Sequence, residues 1–575
     1  MSGLQSTNPA TSSNDNDSIR VRPALAMLLG LLSLIATLGL WWIGYAAGFA
    51  TFPPFDLADI VIRRSPGELA VWAIANLQFD AQRLALLGGI VAWLVLGAVL
   101  ALGLRQRPTA LTGATIGVTT ALLATILAYV SNNASGVGFG IWLLMWFGVT
   151  LAGPLAVAGN WIERLQIDAR DRSRLTGHGD WIDQPSSRDR RDVLKQAIGG
   201  ALAFGIGGWT IGSLLRKSGV AESQIGAGEP IESVRTSLQA TPSTGETPPD
   251  SPTPPTDEAS PASPEPTGTG LDDVDDFDPP AGVRPRITST EDFYTIDIST
   301  RDPVIQREQW TLRIGGLVNQ EIVLTYNDLL SMPSIELPGT LMCISYTYGS
   351  ELISTTHWSG VRLRDVLQKA GIGDGAVELV LRGGGGYSDS IQVSKALEET
   401  TLLAYGMDGE TLSREHGFPC RLYVPNIYGE KNVKWLEEIE VVDYDYTGFW
   451  QERGWDANNT QAVINILSVI DTPLGDVAPD ESGTVPIGGV AFAGSRGIQG
   501  VQIQVDGGQW VDTTVEPYEP ALVWQRWKYD WPAESGEHTL TVRATDAEGN
   551  EQVTVENPPF PDGMTGLQEV NVQVL

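Results

Sequence analysis

His416-Gly417-Phe418-Pro419-Cys420-Arg421-Leu422-Tyr423-Val424-Pro425, followed after two residues by Tyr428-Gly429-Glu430-Lys431-Asn432-Val433-Lys434-Trp435-Leu436, is the stretch on which the reading of this chain turns. Cys420 to Val424 has the apolar, β-rich composition of a buried strand, and Cys420 reads as part of a core. Arg421, Lys431 and Lys434 fall within fourteen residues of one another, two of them after a glycine-containing turn whose backbone amides also suit an anion. The alternative for these cations is a solvated patch, or salt bridges to Glu437 and Glu438.

Upstream, Leu341-Met342-Cys343-Ile344-Ser345 carries one of only two cysteines in 575 residues. A lone thiolate is a strong soft metal ligand and a competent nucleophile, whereas a structural zinc site needs about four Cys or His ligands. The plainer reading of Cys343 is a buried, inert thiol. Two cysteines allow one disulfide at most, so disulfides are not the framework of this chain.

Composition narrows the partners. The formal net charge is -32, with 69 Asp+Glu against 37 Lys+Arg, and the lysines are only Lys195, Lys217, Lys369, Lys395, Lys431, Lys434 and Lys528. Nothing here neutralises a row of phosphates, which excludes nucleic acid as a partner. An acidic, lysine-poor balance keeps a surface hydrated where salt screens charge over a few ångströms, and it resembles that of an extreme halophile, a haloarchaeon.

Residues 23–216 read as a membrane domain after a cytoplasmic tail, 1–22. Uncharged stretches run from Pro23 to Phe55, Leu84 to Leu104, Pro108 to Ile162 and Gln196 to Leu215, each long enough for the ~20 apolar residues of a span. The third holds two spans separated at Ser131-Asn132-Asn133-Ala134-Ser135-Gly136, which predicts five helices in the lipid bilayer. Arg20, Arg22, Arg105, Arg107 and the arginines between Arg164 and Arg191 fall on one side if the amino terminus is cytoplasmic, so everything after the fifth helix is extracytoplasmic at the cell membrane. Arg63 and Arg64 are the exception, in an outer loop. The four histidines, His178, His357, His416 and His538, all lie outside the spans, which excludes a bis-histidine haem there. The spans lack internal carboxylates, so an anchor is the simplest role, with a quinone or redox-subunit contact open. Asp189-Arg190-Arg191-Asp192-Val193-Leu194-Lys195 resembles a twin-arginine export signal, which moves proteins already folded around a cofactor; an ordinary basic loop is the alternative.

Residues 217–280, rich in Pro, Thr, Ser and acid, read as a disordered linker. Residues 281–458 then mix strand signals at Trp310 to Ile314, Val377 to Leu381, Cys420 to Val424 and Ile439 to Val442 with a helix from Val361 to Ala370 and a turn at Gly383 to Gly386. Residues 459–575 show only strands and turns. Ile487 to Ala491, Val501 to Val505, Val511 to Val515 and His538 to Ala544 alternate with turns at Asp506 to Gly508 and Ala547 to Asn550, the pattern of an immunoglobulin-like sandwich.

Cys343 with its apolar lead-in, Trp358-Ser359-Gly360-Val361-Arg362-Leu363-Arg364-Asp365-Val366-Leu367, and the two motifs quoted first resemble, in order and spacing, the sulfite oxidase family of molybdopterin enzymes. The resemblance covers about 290 residues. It includes Arg543-Ala544-Thr545-Asp546 in the sandwich, the family's dimerisation domain. It implies a multi-domain fold with a mixed α+β molybdopterin domain and a molybdenum-molybdopterin cofactor held by Cys343. Tyr387 stands at a position near the metal, and Tyr294, His416, Arg421, Gly429, Lys431 and Lys434 stand at positions around the pterin and its phosphate. It also implies a homodimer through the sandwich.

Substrate is less tightly implied. The stretch Phe293-Tyr294-Thr295-Ile296-Asp297 lacks the arginine that sulfite oxidases use to hold the anion, and Arg301 is the nearest substitute. Glu430 and Asp389 have no spacing that argues for acid–base work. The first reading is oxidation of sulfite or a related sulfur oxyanion, with electrons passed to a copper protein or cytochrome. The second is reduction of an S-oxide or N-oxide fed by a membrane redox subunit. A third, from another class, is an inactive surface binding protein.

Overall fold

The computed structural model describes residues 23–47, 49–66, 69, 72–73, 77, 79–104, 109–131, 137–176, 187–217, 226–240, 277–299, 302–458, 460–517 and 521–575. The expected tail 1–22, Arg105, Arg107, Arg301 and most of 217–280 lie outside them. The chain divides into two compact units, one of residues 1–61 with 82–221, the other of 62–81 with 222–575.

In the first unit, five helices among the described residues are long and apolar enough to cross a membrane: Pro23–Ala46, Arg83–Gly103, Ala110–Val130, Phe139–Leu165 and Arg191–Leu214. A helix satisfies its own backbone where there is no water, and because lipid is as apolar as leucine, neighbours hold together by close packing. Small residues allow that approach. Gly39 meets the backbone of Phe204 and Gly205, and Gly117 that of Leu151 and Ala152. Trp41 packs edge-on to Trp93 and Phe147 and donates from Nε1 to Thr150 Oγ1 at 2.9 Å. The first apolar stretch is not one span to Phe55. Its helix ends at Ala46, and Pro53 opens a separate helix, Pro53–Arg64, since proline suits a first turn and cannot continue a helix. That short helix buries Asp56 and Asp59, just past the carboxylate-free run.

The second unit begins with two sheets. Strands β1 (Thr311–Gly316), β2 (Ile322–Thr325), β5 (Glu378–Gly383), β6 (Tyr387–Gln392) and β10 (Leu436–Val442) form one, in the order β2-β1-β10-β5-β6, with β1 and β10 parallel. Strands β3 (Ile335–Met342), β4 (Ile353–Arg362), β7 (Leu402–Met407) and β8 (Glu410–Thr411) form the other, with β9 (Arg421–Tyr423) on β7. β4 takes Val361 and Arg362 from the expected helix, which runs only from Leu363 to Ala370. The strand escaped the sequence reading because eight of its ten residues are buried, so the alternation that marks a half-exposed strand is missing.

The carboxy-terminal part is a β-sandwich. One sheet is β11 (Leu467–Thr472), β13 (Val485–Phe492), β17 (Gln525–Trp531) and β16 (Thr514–Val515). The other is β12 (Asp476–Val477), β19 (Gln568–Val574), β18 (Gly536–Asp546), β14 (Ile498–Val505) and β15 (Val511–Asp512). Ile487 and Trp527 from the first sheet share a core with Val501, Leu540 and Val542 from the second. Leu467, Val469, Phe492 and Trp524 belong instead to the buried cluster that contains Cys343 and Tyr423, so the sandwich and the α+β part share apolar packing. Arg496 reinforces it, donating to Asp546 and Asn426 at 2.9 Å each.

The linker expectation needs correcting at 226–240. Pro230 bridges to Glu410, and the helix Ile231–Ala240 places Ile231 and Val234 in the core with Ala227. Those three apolar side chains supply the burial that an acidic, Pro/Thr-rich segment otherwise lacks.

Candidate active site

Cys343 follows the last residue of β3 and opens a tight turn. Its N–H donates to Leu352 O at 3.0 Å, and Tyr346 N–H donates back to Cys343 O at 3.0 Å. The side chain is 8% exposed, with Sγ 3.0 Å from Ser345 Oγ. Burial pushes the thiol up to about 11, the hydrogen bonds of Ser345 opposing it. A thiol in this state becomes a good ligand only when a cation draws off its proton.

The turn Gly429–Lys431 lies against Cys343. A Cβ on Gly429 would stand 2.8 Å from the Tyr294 hydroxyl, 3.4 Å from Met342 O and 3.9 Å from Cys343 Cα, so only glycine lets these segments close together. Asn432 holds the turn beside β9, accepting from Val424 N–H at 2.6 Å and donating to Tyr428 O at 3.1 Å. Tyr294 stacks on Phe293 at 5.8 Å, and its buried hydroxyl has no partner among the described residues.

The three cations of the opening motif have different surroundings. Arg421 is 3% exposed and donates to the backbone oxygens of His416 at 3.1 Å and Asn432 at 3.3 Å, while its buried Nε has no partner among the described residues. Burial lowers its pKa to about 10, still charged at neutral pH. Lys434 pairs with Asp297 at 2.6 Å and donates to Glu415 O at 2.8 Å. Lys431 differs from the expected phosphate ligand. Its amine is 2.8 Å from Asp389 and 3.8 Å from Asp456 in a closed space, where two carboxylates hold it. Neither these acids nor Asp297 is Glu437 or Glu438, the neighbours that sequence proximity suggested. At Gly417, with φ +107°, a Cβ would press on Arg421 and Lys434 at 3.1 Å, so this motif glycine is required by both conformation and space.

His416 Nε2 lies 3.1 Å from Thr290 O, an acceptor, so Nε2 carries the hydrogen, and Nδ1 is left as a buried lone pair without a partner. Burial lowers its pKa to about 4. The ring is therefore neutral and offers an acceptor at its other nitrogen. Tyr387, at the start of β6, donates to Glu430 O at 2.6 Å and lies 3.1 Å from Asp389 Oδ2. Asp389 and Glu430, assigned no role from sequence, thus sit with Tyr387 and Lys431, and Asp456 joins them from a distant segment that no motif marks.

These residues fit a molybdopterin. A soft thiol ligand, a cradle kept open by Gly429, and three buried polar atoms without partners among the described residues (Tyr294 Oη, His416 Nδ1 and Arg421 Nε) suit a polar, anionic group bound through sulfur. Cys343 would hold the metal, with Tyr294, His416 and Arg421 around the pterin. The bound cofactor supplies oxygen-atom transfer coupled to two-electron redox change, and the protein supplies binding, orientation and the electrostatic setting.

Comparison with known proteins agrees. Residues 299–450 match the family described as "Oxidoreductase molybdopterin binding domain", which defines the class as a molybdopterin-binding oxidoreductase. Mitochondrial sulfite oxidase of Mus musculus is 30% identical over 382 residues, 58% of this chain and 67% of that protein. Sulfite oxidase of Arabidopsis thaliana is 31% identical over 280 residues, 40% of this chain and 71% of that protein. The chain belongs to the sulfite oxidase family and is a molybdenum oxidoreductase. Among solved structures, the sulfane dehydrogenase SoxCD from Paracoccus pantotrophus aligns with a TM-score of 0.44 at 24% identity, covering 51% of this chain and 82% of that one.

Proposed function

We propose that this chain is a membrane-tethered, extracytoplasmic enzyme that moves an oxygen atom between water and a small sulfur-centred substrate, exchanging electrons with an external carrier. The observation that carries this reading is the Cys343 thiol, set against the Gly429 cradle and served by a buried Arg421 with an unpartnered Nε. In this reading Cys343 binds molybdenum, Tyr387 faces the reacting atoms, Tyr294, His416 and Gly429 line the pterin, and Arg421 with Lys434 meets its phosphate; Lys431 belongs with the carboxyls. The five apolar helices provide the tether. The immunoglobulin-like sandwich is the surface through which two copies would pair, and the acidic surface suits a saline exterior.

Two readings of the substrate stand. Oxidation of sulfite or a related oxyanion follows from the sulfite oxidases among the relatives. A second, reduction of a neutral S-oxide or N-oxide, is favoured by charge. A cleft of about 1430 Å³ reaching Tyr294 and Ser354 is lined by six carboxylates and one arginine, Arg284, which is itself paired with Asp471 at 2.7 Å. Such a lining repels an oxyanion and tolerates a neutral substrate. The test is molybdenum and pterin analysis of the detergent-solubilised chain, then parallel assays of sulfite-dependent acceptor reduction and dye-driven sulfoxide reduction. Protein without molybdenum refutes the proposal, and the assay that turns over selects the substrate.

A further inference from the structure

Beside the Cys343 turn, three carboxyl groups close on one amine. Asp389, Lys431 and Asp456 are each at most 1% exposed. Lys431 Nζ donates to Asp389 Oδ1 at 2.8 Å and Ser390 O at 3.3 Å, and it is 3.8 Å from Asp456. The four carboxylate oxygens of Glu430 and Asp456 are all shut off from water, and among the described residues none has a well-formed hydrogen-bond donor, the N–H of Glu430 itself being the nearby one. Yet the two side chains are hydrogen-bonding neighbours once one of them carries a proton. Both are acceptors when ionised, so an unprotonated pair leaves four buried oxygens without a well-formed donor and two like charges facing one another. A single shared proton removes the charge repulsion and joins one oxygen of each carboxyl in a hydrogen bond.

The groups around the pair leave it that proton. Tyr387 spends its hydroxyl hydrogen on the backbone oxygen of Glu430, next to Asp389, and Lys431 is already committed to Asp389. Cys343, Tyr294 and Tyr428 are the other ionisable neighbours of Glu430, and half-exposed Asp562 lies beyond Asp456. Burial and the charge of Asp456 hold the Glu430 carboxyl well above the usual range.

We propose that the Glu430–Asp456 carboxyl pair holds the proton that oxygen-atom transfer beside Cys343 releases or consumes, and exchanges it with solvent on the Asp562 side. The inference rests on the proposed oxygen-atom transfer. Adding an oxygen atom from water to a sulfur substrate releases two protons and two electrons, the electrons leaving to the external carrier. Removing one as water from an S-oxide or N-oxide takes up two of each, the electrons coming from a reduced membrane quinol or redox subunit. In either direction protons cross the space next to Cys343, one resting on the pair while the other exchanges with solvent. Glu430 and Asp456 act through the proton they hold and are not assigned contact with substrate.

The test uses the full chain in detergent, as wild type, Glu430→Gln and Asp456→Asn, each checked for molybdenum content. Infrared difference spectra at pH 7 are expected to show a buried protonated carboxyl band in the wild type, lost in Glu430→Gln and shifted in Asp456→Asn. With molybdenum retained, Glu430→Gln is expected to lower kcat by roughly 10²-fold at unchanged KM and to remove one limb of the pH profile. A band that survives in Glu430→Gln, or an unaltered kcat and pH profile, overturns the inference. Wild-type protein that holds molybdenum but turns over no substrate of the panel counts against the proposed function instead, and the infrared band still decides whether the pair holds a proton. If Glu430→Gln fails to fold, an unshifted band in Asp456→Asn overturns the inference.

Discussion

Replacing Lys431 by methionine removes the cation that lies 2.8 Å from Asp389 and 3.8 Å from Asp456. Removing one partner of a buried ion pair costs about 3–5 kcal/mol, because the charge left behind is uncompensated. The loss is limited because a buried carboxyl left without its cation takes up a proton. Neutralising an aspartate of ordinary pKa ~3.9 at pH 7 costs roughly 4 kcal/mol, and roughly 1.5 kcal/mol at pH 5, at 1.36 kcal/mol per unit. Lys431→Met is therefore expected to destabilise the second unit by about 4 kcal/mol at pH 7 and by less than half of that at pH 5. Denaturant unfolding of the full chain in detergent, followed by tryptophan fluorescence between pH 5 and 8, measures both. High salt should leave the difference nearly unchanged, since the pair is closed to ions. The double variant Lys431→Met/Asp389→Asn should recover most of the loss. A loss below about 1 kcal/mol at pH 7, or one that does not vary with pH, would refute the reasoning, because either means the carboxylates find another partner.

Cys343→Ser should reduce bound molybdenum to a small fraction of the wild-type content while changing the unfolding free energy by no more than about 1 kcal/mol, since serine is nearly isosteric and can keep the hydrogen bond to Ser345; metal analysis beside a denaturation curve checks it. Arg421→Met should lower pterin content at constant expression, read by fluorescence of the oxidised pterin after extraction. His416 has a folded pKa of about 4, below the ~6.5 of an unfolded histidine. Between those values the unfolded chain binds more protons, so the stability this histidine confers is present above pH 6.5 and is lost as pH falls through 4, and His416→Gln should flatten that slope by up to about 3 kcal/mol. Gly39→Leu places a side chain into the backbone of Phe204 and Gly205 and should weaken the packing of the first and fifth apolar helices, seen as a lower unfolding temperature of the detergent-solubilised protein.

What could be read along the chain was whatever is written locally. The apolar helices announce themselves by length, and the turn at Gly383 to Gly386 and the sandwich strands at Val501 and His538 by composition and alternation. Cys343 stood out because cysteine is scarce, and Lys431 and Lys434 because lysine is. β4 and β7 did not stand out, since strands buried on both faces have no period-2 pattern to detect. The docking of Ile231 and Val234 was hidden in a segment whose average composition reads as disordered, because a few apolar side chains suffice when a groove already exists to receive them.

Charge shows the division most clearly. The sequence by itself determined that the chain is acidic, that its apolar segments are long enough for a bilayer, and that a rare cysteine stands among ordered motifs of a molybdopterin enzyme. It did not determine which acid meets which base. Only the tertiary structure decided that Lys431 turns to Asp389 and Asp456 while Arg421 keeps an unpartnered nitrogen. The physical reason is that hydrophobicity and turn propensity are properties of neighbours in sequence. The energy of a buried charge depends instead on side chains brought to within 3–4 Å from β6, from the Gly429–Lys431 turn and from Asp456, which are separated by tens of residues and joined only by folding.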